Sequence, residues 1–200
     1  MKIKFCGLYQ DAHIAYANEI KPDYVGFVFW NKSRRYVTAD KARELRNQLD
    51  SDIQVVGVFV DEDIDRIIDL YQSGIIDVAQ LHGAEDDIYI KRLQGIGIPV
   101  IKAYVVSNNS DIIVQAQNSI ADYVLFDAGK GDGKTFDWDL LRDFNRDYFL
   151  AGGLNLSNIR EVTQNIKPFA VDVSSGIETN GEKDKSKMEQ FARVIRDVEN

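Results

Sequence analysis

Two hundred residues with 44% hydrophobic side chains suffice to bury roughly 70% of the unfolded surface in one core without disulfide staples. Twenty-four basic against thirty-two acidic residues leave a net charge of −8, which argues against nucleic acid or an anionic membrane as the main partner and makes any positive site a local one. The single cysteine, Cys6, rules out an internal disulfide. The opening MKIKFCGLYQDAH turns polar too soon for a signal-peptide core and no run approaches the ~20 apolar residues of a membrane span, so the reading is a soluble, cytoplasmic protein.

Short β-branched and aromatic runs predict strands at 3–6 (IKFC), 24–30 (YVGFVFW), 54–60 (QVVGVFV), 77–82 (DVAQLH), 99–105 (PVIKAYV), 122–127 (DYVLFD), 148–153 (YFLAGG) and 169–175 (FAVDVSS). Helical spacing falls between them. It is clearest at Ile64, Ile67, Ile68 and Tyr71, which Ser73-Gly74 stops, and at Met188, Phe191, Ala192 and Ile195. It is weaker at Ala42, Leu45 and Leu49, at Ile159, Val162 and Ile166, and over 108–118. Strand and helix alternating eight times, with about 25 residues per unit, predict an α/β fold, a single-domain (βα)8 TIM barrel over 1–200 with short connections. An open doubly wound sheet would carry a glycine-rich nucleotide turn after its first strand, and CGLYQDA supplies none. No linker or low-complexity segment marks a domain boundary.

Barrels of this class build their active sites at the carboxyl ends of the strands. With Ile3 and Phe5 set against the helices, alternation turns Lys4 and Cys6 inward. The same reading turns Gln80 with His82, Lys102 with Tyr104, and Asp172 with Ser174 toward the axis, and Asp127 joins them at the end of VLFD. An apolar core has no use for so many polar tips, so a polar ligand at the mouth is expected. AGGLN after the seventh strand and SSGIETNG after the eighth lie where such barrels hold phosphate on backbone N–H groups. Gly152, Gly153, Ser175 and Gly176 are the candidates, although either segment alone also reads as a plain turn.

By composition Cys6 is an inert buried thiol; by position it is a base whose pKa an inward Lys4 would lower. Asp127, just before GKGDG, is placed for proton transfer. His82 reads either as an acid–base group or as a hydrogen-bonded structural imidazole, and His13 as a surface residue of the first helix. Arg34 and Arg35 follow the second strand directly, as a bidentate carboxylate clamp or as a solvated basic turn. DEDIDR and GAEDD read as acidic first turns of helices without chemistry. Asp172 is counted among the substrate-binding residues, with Lys4, His82 and Arg34 as secondary candidates.

Six segments in order resemble the motifs of the phosphoribosylanthranilate isomerase family of tryptophan biosynthesis: KFCGL at 4–8, GFVF followed by SRRYV at 33–37, QLHG at 80–83, GDGKTFDW at 131–138, LAGGL at 150–154 and DVSSGIE at 172–178. The resemblance implies that the family's general base falls on Cys6, its general acid on Asp127 and its anthranilate-carboxylate arginine on Arg35. It puts the phosphate contacts on the Gly153 turn and on Ser175 with Gly176. The implied reaction is an Amadori rearrangement of N-(5-phosphoribosyl)anthranilate to 1-(2-carboxyphenylamino)-1-deoxy-D-ribulose 5-phosphate, with no cofactor and no metal. The implied partner is this small phosphosugar, with no nucleic acid or membrane involved, and the chain would act as a monomer or homodimer.

Three positions depart from the family pattern. Arg34 stands where proline is common and competes with Arg35 for the carboxylate; Asp132 stands where glycine, serine or threonine is usual and must point away or pair with Lys130 or Lys134; Phe5 replaces a smaller aliphatic and affects packing only. Two alternatives remain. One is another phosphosugar isomerase or epimerase, although an aminoaldose isomerase would resemble a two-aspartate site where Cys6 stands, and an epimerase would need a metal cluster beyond His82. The other is a catalytically silent barrel that binds a phosphosugar as a sensor, which leaves Cys6 and Asp127 without a task.

Overall fold

The computed structural model describes residues 1–106, 111–128 and 136–199, and a strand forms in each of the eight predicted windows. These are β1 (Lys2–Cys6), β2 (Tyr24–Val28), β3 (Gln54–Phe59), β4 (Val78–Leu81), β5 (Val100–Val105), β6 (Tyr123–Asp127), β7 (Tyr148–Leu150) and β8 (Ala170–Val173). All pair in parallel in chain order, and β8 returns to β1 to close the barrel. Both faces of each strand are covered, which is why the strands read as near-continuous apolar runs. Tyr24, Val56, Val78, Ile101, Leu125, Phe149 and Ala170 fill the interior, while Phe5, Phe27, Phe59, Phe126 and Val171 pack outward against the helices. The amino-terminal ends are tied by a repeated device. Asp23, Asp77 and Asp122 immediately precede β2, β4 and β6 and accept the N–H groups of Ile3, Val55 and Val100 at 2.8, 2.7 and 2.8 Å.

Five helices follow the first five strands: α1 (Asp11–Ile20), α2 (Ala39–Gln48), α3 (Ile64–Gln72), α4 (Asp87–Gln94) and α5 (Asp111–Gln117). Thr38, Asp63 and Asp86 cap α2, α3 and α4 through their side-chain oxygens, and Ser73 ends α3 with Gly74 at φ +67°. The predicted 108–118 helix is α5, its first residues lying outside the described ones. The alternation weakens after β6. Between β6 and β7 the described residues hold only a 3₁₀ turn, Trp138–Leu141, where Trp138, Leu141 and Phe144 recur every third residue, the spacing that suits a 3₁₀ turn. After β7, α6 (Ile159–Glu161) is three residues long and runs into a π turn, Val162–Ile166. Helix α7 (Lys185–Glu199) closes the ring. None of the described helices is long and apolar enough to cross a membrane.

Three sequence expectations are corrected here. Lys102 and Tyr104 do not face the axis: Ile101 and Ala103 do, and Tyr104 packs on the helix side. A strand buried on both faces carries no polar alternation to fix its phase. Lys102 is held outside the barrel by Gly83 O and by the Glu85 carboxylate, both at 2.8 Å from Nζ. Glu85 is therefore not a first-turn helix acid: it stands before the Asp86 cap of α4 and also accepts the N–H groups of Asp61 and Gly83 at 2.9 Å. His13 is not on the surface but 1% exposed, on the same stripe of α1 as Ala17 and Ile20. Its Nδ1 accepts the N–H of Tyr9 at 3.3 Å, and burial pushes its pKa down.

Candidate active site

At the carboxyl ends of the strands lies a cavity of about 570 Å³. It is lined by Cys6 from β1, His82 beyond β4, Asp127 from β6, Gly152 and Gly153 beyond β7, Asp172 from β8, Ser175 beyond it, and Arg35 from the loop after β2. Gln80 and Ser174 also reach it, while Val28, Trp30, Val58 and Val60 form an apolar wall on the side of Arg35. Of the predicted site residues, Lys4, Arg34 and Gly176 do not line the cavity. Asp132 falls outside the described residues.

Cys6 is half-buried, and its sulfur fits because its register partner on β2 is Gly26, where a Cβ would come within 2.7 Å of Sγ. Lys4 is fully buried beside it, paired with Asp172 at 2.7 Å. Lys4 pulls the thiol's pKa down as the sequence reading expects, but the net shift is upward. Burial pushes it up, and the opposing pull of Lys4 and Lys183 does not cancel that rise because Asp172 adds to it. Lys4 is shared with Asp172, a partner the sequence places far away.

Asp127 ends β6 with its Oδ2 3.4 Å from His82 Nε2, and Gln80 Nε2 stands 3.5 Å from Nδ1 of the same ring. His82 thus sits between an amide and the carboxyl that is the candidate acid. Gly152, at φ +82°, lets the turn after β7 approach: a Cβ there would stand 2.9 Å from Asp127 Oδ1 and 2.3 Å from the backbone nitrogen of Ala128. Gly176 packs against the same turn, since a Cβ on it would come within 1.9 Å of Leu154 O. The two predicted phosphate segments are thereby pressed together, with Gly153 and Ser175 facing the cavity.

The segment after β8 departs from the sequence reading. SSGIETNG is not one open loop: Ser175–Ile177 forms a 3₁₀ turn, and a hairpin of β9 (Glu178–Thr179) and β10 (Glu182–Lys183) comes directly after it. Its two-residue loop, Asn180 at φ +52° and Gly181 at φ +88°, has the positive φ values of a type I′ turn. Asn-Gly between two short segments is the signal that would have found it. The hairpin delivers Glu178 and Lys183 to the site's edge. Glu178 binds Arg35 through both carboxylate oxygens, pairs with Arg34, and accepts Lys183 Nζ at 2.8 Å. Burial alone would raise the Glu178 pKa, but the hydrogen bond from Arg35 and the charge of Lys183 pull it down to about 2. Burial brings Lys183 down to about 8, helped by the neighbouring charge of Arg35 and opposed by Glu178. Lys183 also donates to Ser174 O at 2.9 Å, and Ser174 Oγ donates to Cys6 O at 3.0 Å.

A closed parallel barrel with a thiol, a carboxyl, an imidazole and an arginine in one mouth cavity defines a (βα)8-barrel enzyme working by proton transfer. Residues 3–194 match the family model described as N-(5'phosphoribosyl)anthranilate (PRA) isomerase. The chain belongs to the phosphoribosylanthranilate isomerase family. It is 43% identical to the N-(5'-phosphoribosyl)anthranilate isomerase of Endomicrobium trichonymphae over 98% of this chain and 99% of that one. The crystal structure of phosphoribosyl anthranilate isomerase from Thermotoga maritima superposes with a TM-score of 0.90 at 36% identity, covering 98% of this chain and 99% of that one. A structure of phosphoribosyl anthranilate isomerase solved in complex with reduced 1-(o-carboxyphenylamino)-1-deoxyribulose 5-phosphate is similar at a TM-score of 0.88 and 35% identity, with the same coverage.

Proposed function

We infer that the protein isomerises N-(5-phosphoribosyl)anthranilate to 1-(2-carboxyphenylamino)-1-deoxy-D-ribulose 5-phosphate in tryptophan biosynthesis. The observation that carries this reading is that Cys6 and Asp127, from strands on different sides of the barrel, line one cavity whose other polar and apolar walls match the two ends of that substrate. Arg35 and the wall of Trp30, Val28 and Val58 suit a carboxyphenyl ring. The turns at Gly153 and Ser175 offer backbone N–H groups to the phosphate.

In the proposed mechanism the Asp127 carboxylic acid gives its proton to the ribose ring oxygen. The C1–O bond breaks and the nitrogen lone pair forms an iminium. Cys6, as thiolate, then removes the proton from C2, and the C–H electron pair returns to the iminium to give an enolamine. Tautomerisation delivers the ketone, so atoms and electrons balance within one molecule. The C2 proton is taken by the fraction of Cys6 that has already lost its proton to solvent; burial makes that fraction smaller, and the charges of Lys4 and Lys183 favour it. Each positioned proton transfer contributes about 10² to 10⁴ in rate. Asp172 steadies Lys4 beside the thiol, and His82 orients Asp127. Arg35, which faces the cavity, is the carboxylate clamp; Arg34, 56% exposed, braces the hairpin. The same reading makes residues 1–200 one catalytic domain, cytoplasmic, working as monomer or homodimer on a small phosphosugar.

The test is turnover by the purified protein of phosphoribosylanthranilate to the aminoketose, followed by loss of the substrate's fluorescence. Cys6→Ala and Asp127→Asn each lower kcat by at least about 10² while the fold is retained. Substrate binding without turnover in the unmodified chain would make it a sensor and defeat the reading.

A further inference from the structure

Glu178 is claimed by three cations at once. Its Oε1 accepts Arg35 Nε at 2.7 Å and Lys183 Nζ at 2.8 Å, and its Oε2 accepts Arg35 Nη2 at 2.9 Å and Arg34 Nη2. The Glu178 and Lys183 side chains are 4% and 0% exposed. Charges this buried are a poor way merely to fasten a hairpin, because desolvation offsets most of their attraction and apolar residues of similar volume commonly hold a structure as well. The hairpin moreover has other anchors: Glu182 accepts Tyr9 Oη and Gln10 Nε2, both at 2.8 Å.

What the set does control is one edge of Arg35. Nε and Nη2 lie side-on against the Glu178 carboxylate, whereas Nη1 makes no hydrogen bond among the described residues, on a side chain that lines the cavity. The stem is fixed as well, since Arg35 Cδ passes over Gly7, where a Cβ would stand 2.3 Å from it. A planar guanidinium has two forked edges, and filling the side-on edge leaves the end-on edge for a second carboxylate.

We propose that Glu178 is a positioning residue: it occupies the Nε–Nη2 edge of Arg35 and thereby directs the Nη1-bearing edge at the carboxylate of the substrate's aryl ring, with Lys183 holding Glu178 in register. This rests on the reading of Arg35 as the clamp. Without the Glu178 charge the side-on edge is itself the better carboxylate site, and the guanidinium turns its fork away from the ligand.

The experiment is calorimetric binding of two ligands to the full chain: reduced 1-(o-carboxyphenylamino)-1-deoxyribulose 5-phosphate, and the same compound lacking the ring carboxylate. Glu178→Gln weakens the first by about tenfold or more and the second by less than about twofold. In an Arg35→Met background the same change has no further effect on either ligand. Equal weakening of both ligands, or an undiminished effect in the Arg35→Met background, overturns the proposal and leaves Glu178 a structural brace. If Arg35→Met alone loses no preference for the carboxylate, the clamp assignment itself is wrong and this proposal goes with it, a result distinct from the first two. Should Glu178→Gln not fold because Lys183 is left buried and unpaired, Glu178→Gln/Lys183→Met removes both charges and is read with the same ligand pair.

Discussion

Lys4 and Asp172 are register partners on β1 and β8 whose side chains meet at 2.7 Å, 0% and 7% exposed, next to the thiol of Cys6. Two charges so placed stabilise the barrel only as a pair. Lys4→Met leaves the Asp172 carboxylate buried without its cation, and the loss expected is about 3–5 kcal/mol. Lys4→Met/Asp172→Asn removes both charges and recovers a large part of that. Urea unfolding of the two variants measures the difference; a Lys4→Met loss below about 1 kcal/mol would show that solvent reaches the pair.

The elevated pKa of Cys6 has a direct readout. Alkylation by iodoacetamide reports the thiolate fraction, and its pH midpoint lies above the ordinary thiol value of about 8.5. Lys183→Met removes one of the cations that favour the thiolate, so the midpoint moves higher still. The proton is held more tightly in the folded chain than in the unfolded one. Cys6 therefore stabilises the fold below the unfolded thiol pKa and loses that contribution as pH rises through the folded value. A midpoint at or below neutrality would mean that Lys4 and Lys183 outweigh burial after all.

The barrel was legible because parallel strands, covered on both faces, leave apolar runs at even intervals, and eight of them cannot be confused with a helical pattern. That same double covering hid the phase of β5. In PVIKAYV nothing local says that Ile101 and Ala103 face inward, and the residue that fixes Lys102 outside is Glu85, seventeen positions away. His13 was within reach, because it lies four residues before Ala17 and seven before Ile20 on one helical stripe. The cavity residues Cys6, His82, Asp127, Gly152, Gly153, Asp172 and Ser175 came from strand ends, which alternation and the fold together locate. The direction of the Cys6 shift did not, since it sets desolvation and Asp172 against the charges of Lys4 and Lys183, and neither quantity is written in a local spacing. Glu178 and Lys183 are not evident from the sequence, because the glycines of SSGIETNG suggest a phosphate turn, whereas Asn180-Gly181 turns a hairpin whose two short strands carry both residues.

Glu178 also sets an acid limit on stability. Its pKa of about 2 in the folded chain lies below the unfolded value of 4.5, so its contribution is fully present above about pH 4.5 and is lost as pH falls toward 2. For a side chain 4% exposed the shift corresponds to about 3 kcal/mol. Chemical unfolding at stepped pH from 6 to 2 is expected to give Glu178→Gln a flatter slope than the unmodified protein across this window. Asp11 and Asp184 are also held low but are common to both proteins, so the difference isolates Glu178. Parallel slopes would place its low pKa in doubt, and with it the buried charge on Arg35 and Lys183.

The contact between the turns after β7 and β8 is open to a steric test. A Cβ on Gly176 would stand 1.9 Å from Leu154 O and 2.9 Å from both Leu154 C and Asn155 Cα, all backbone atoms that no rotamer change can move aside. Gly176 does not have a positive φ, so the cost of Gly176→Ala is the clash and not backbone strain. The turns must part, and Gly153 and Ser175, which face the cavity from either side, move away from each other. If they grip one phosphate between them, KM for the phosphoribosyl substrate rises about tenfold or more with a smaller change in kcat, because phosphate binding is felt equally in ground and transition states. Competitive inhibition by inorganic phosphate weakens in parallel, while inhibition by free anthranilate, which the proposed function assigns to the Arg35 end, is unchanged. A phosphate inhibition constant unaffected by Gly176→Ala would mean that the phosphate sits elsewhere in the cavity, and the orientation assigned to the substrate would have to be reversed.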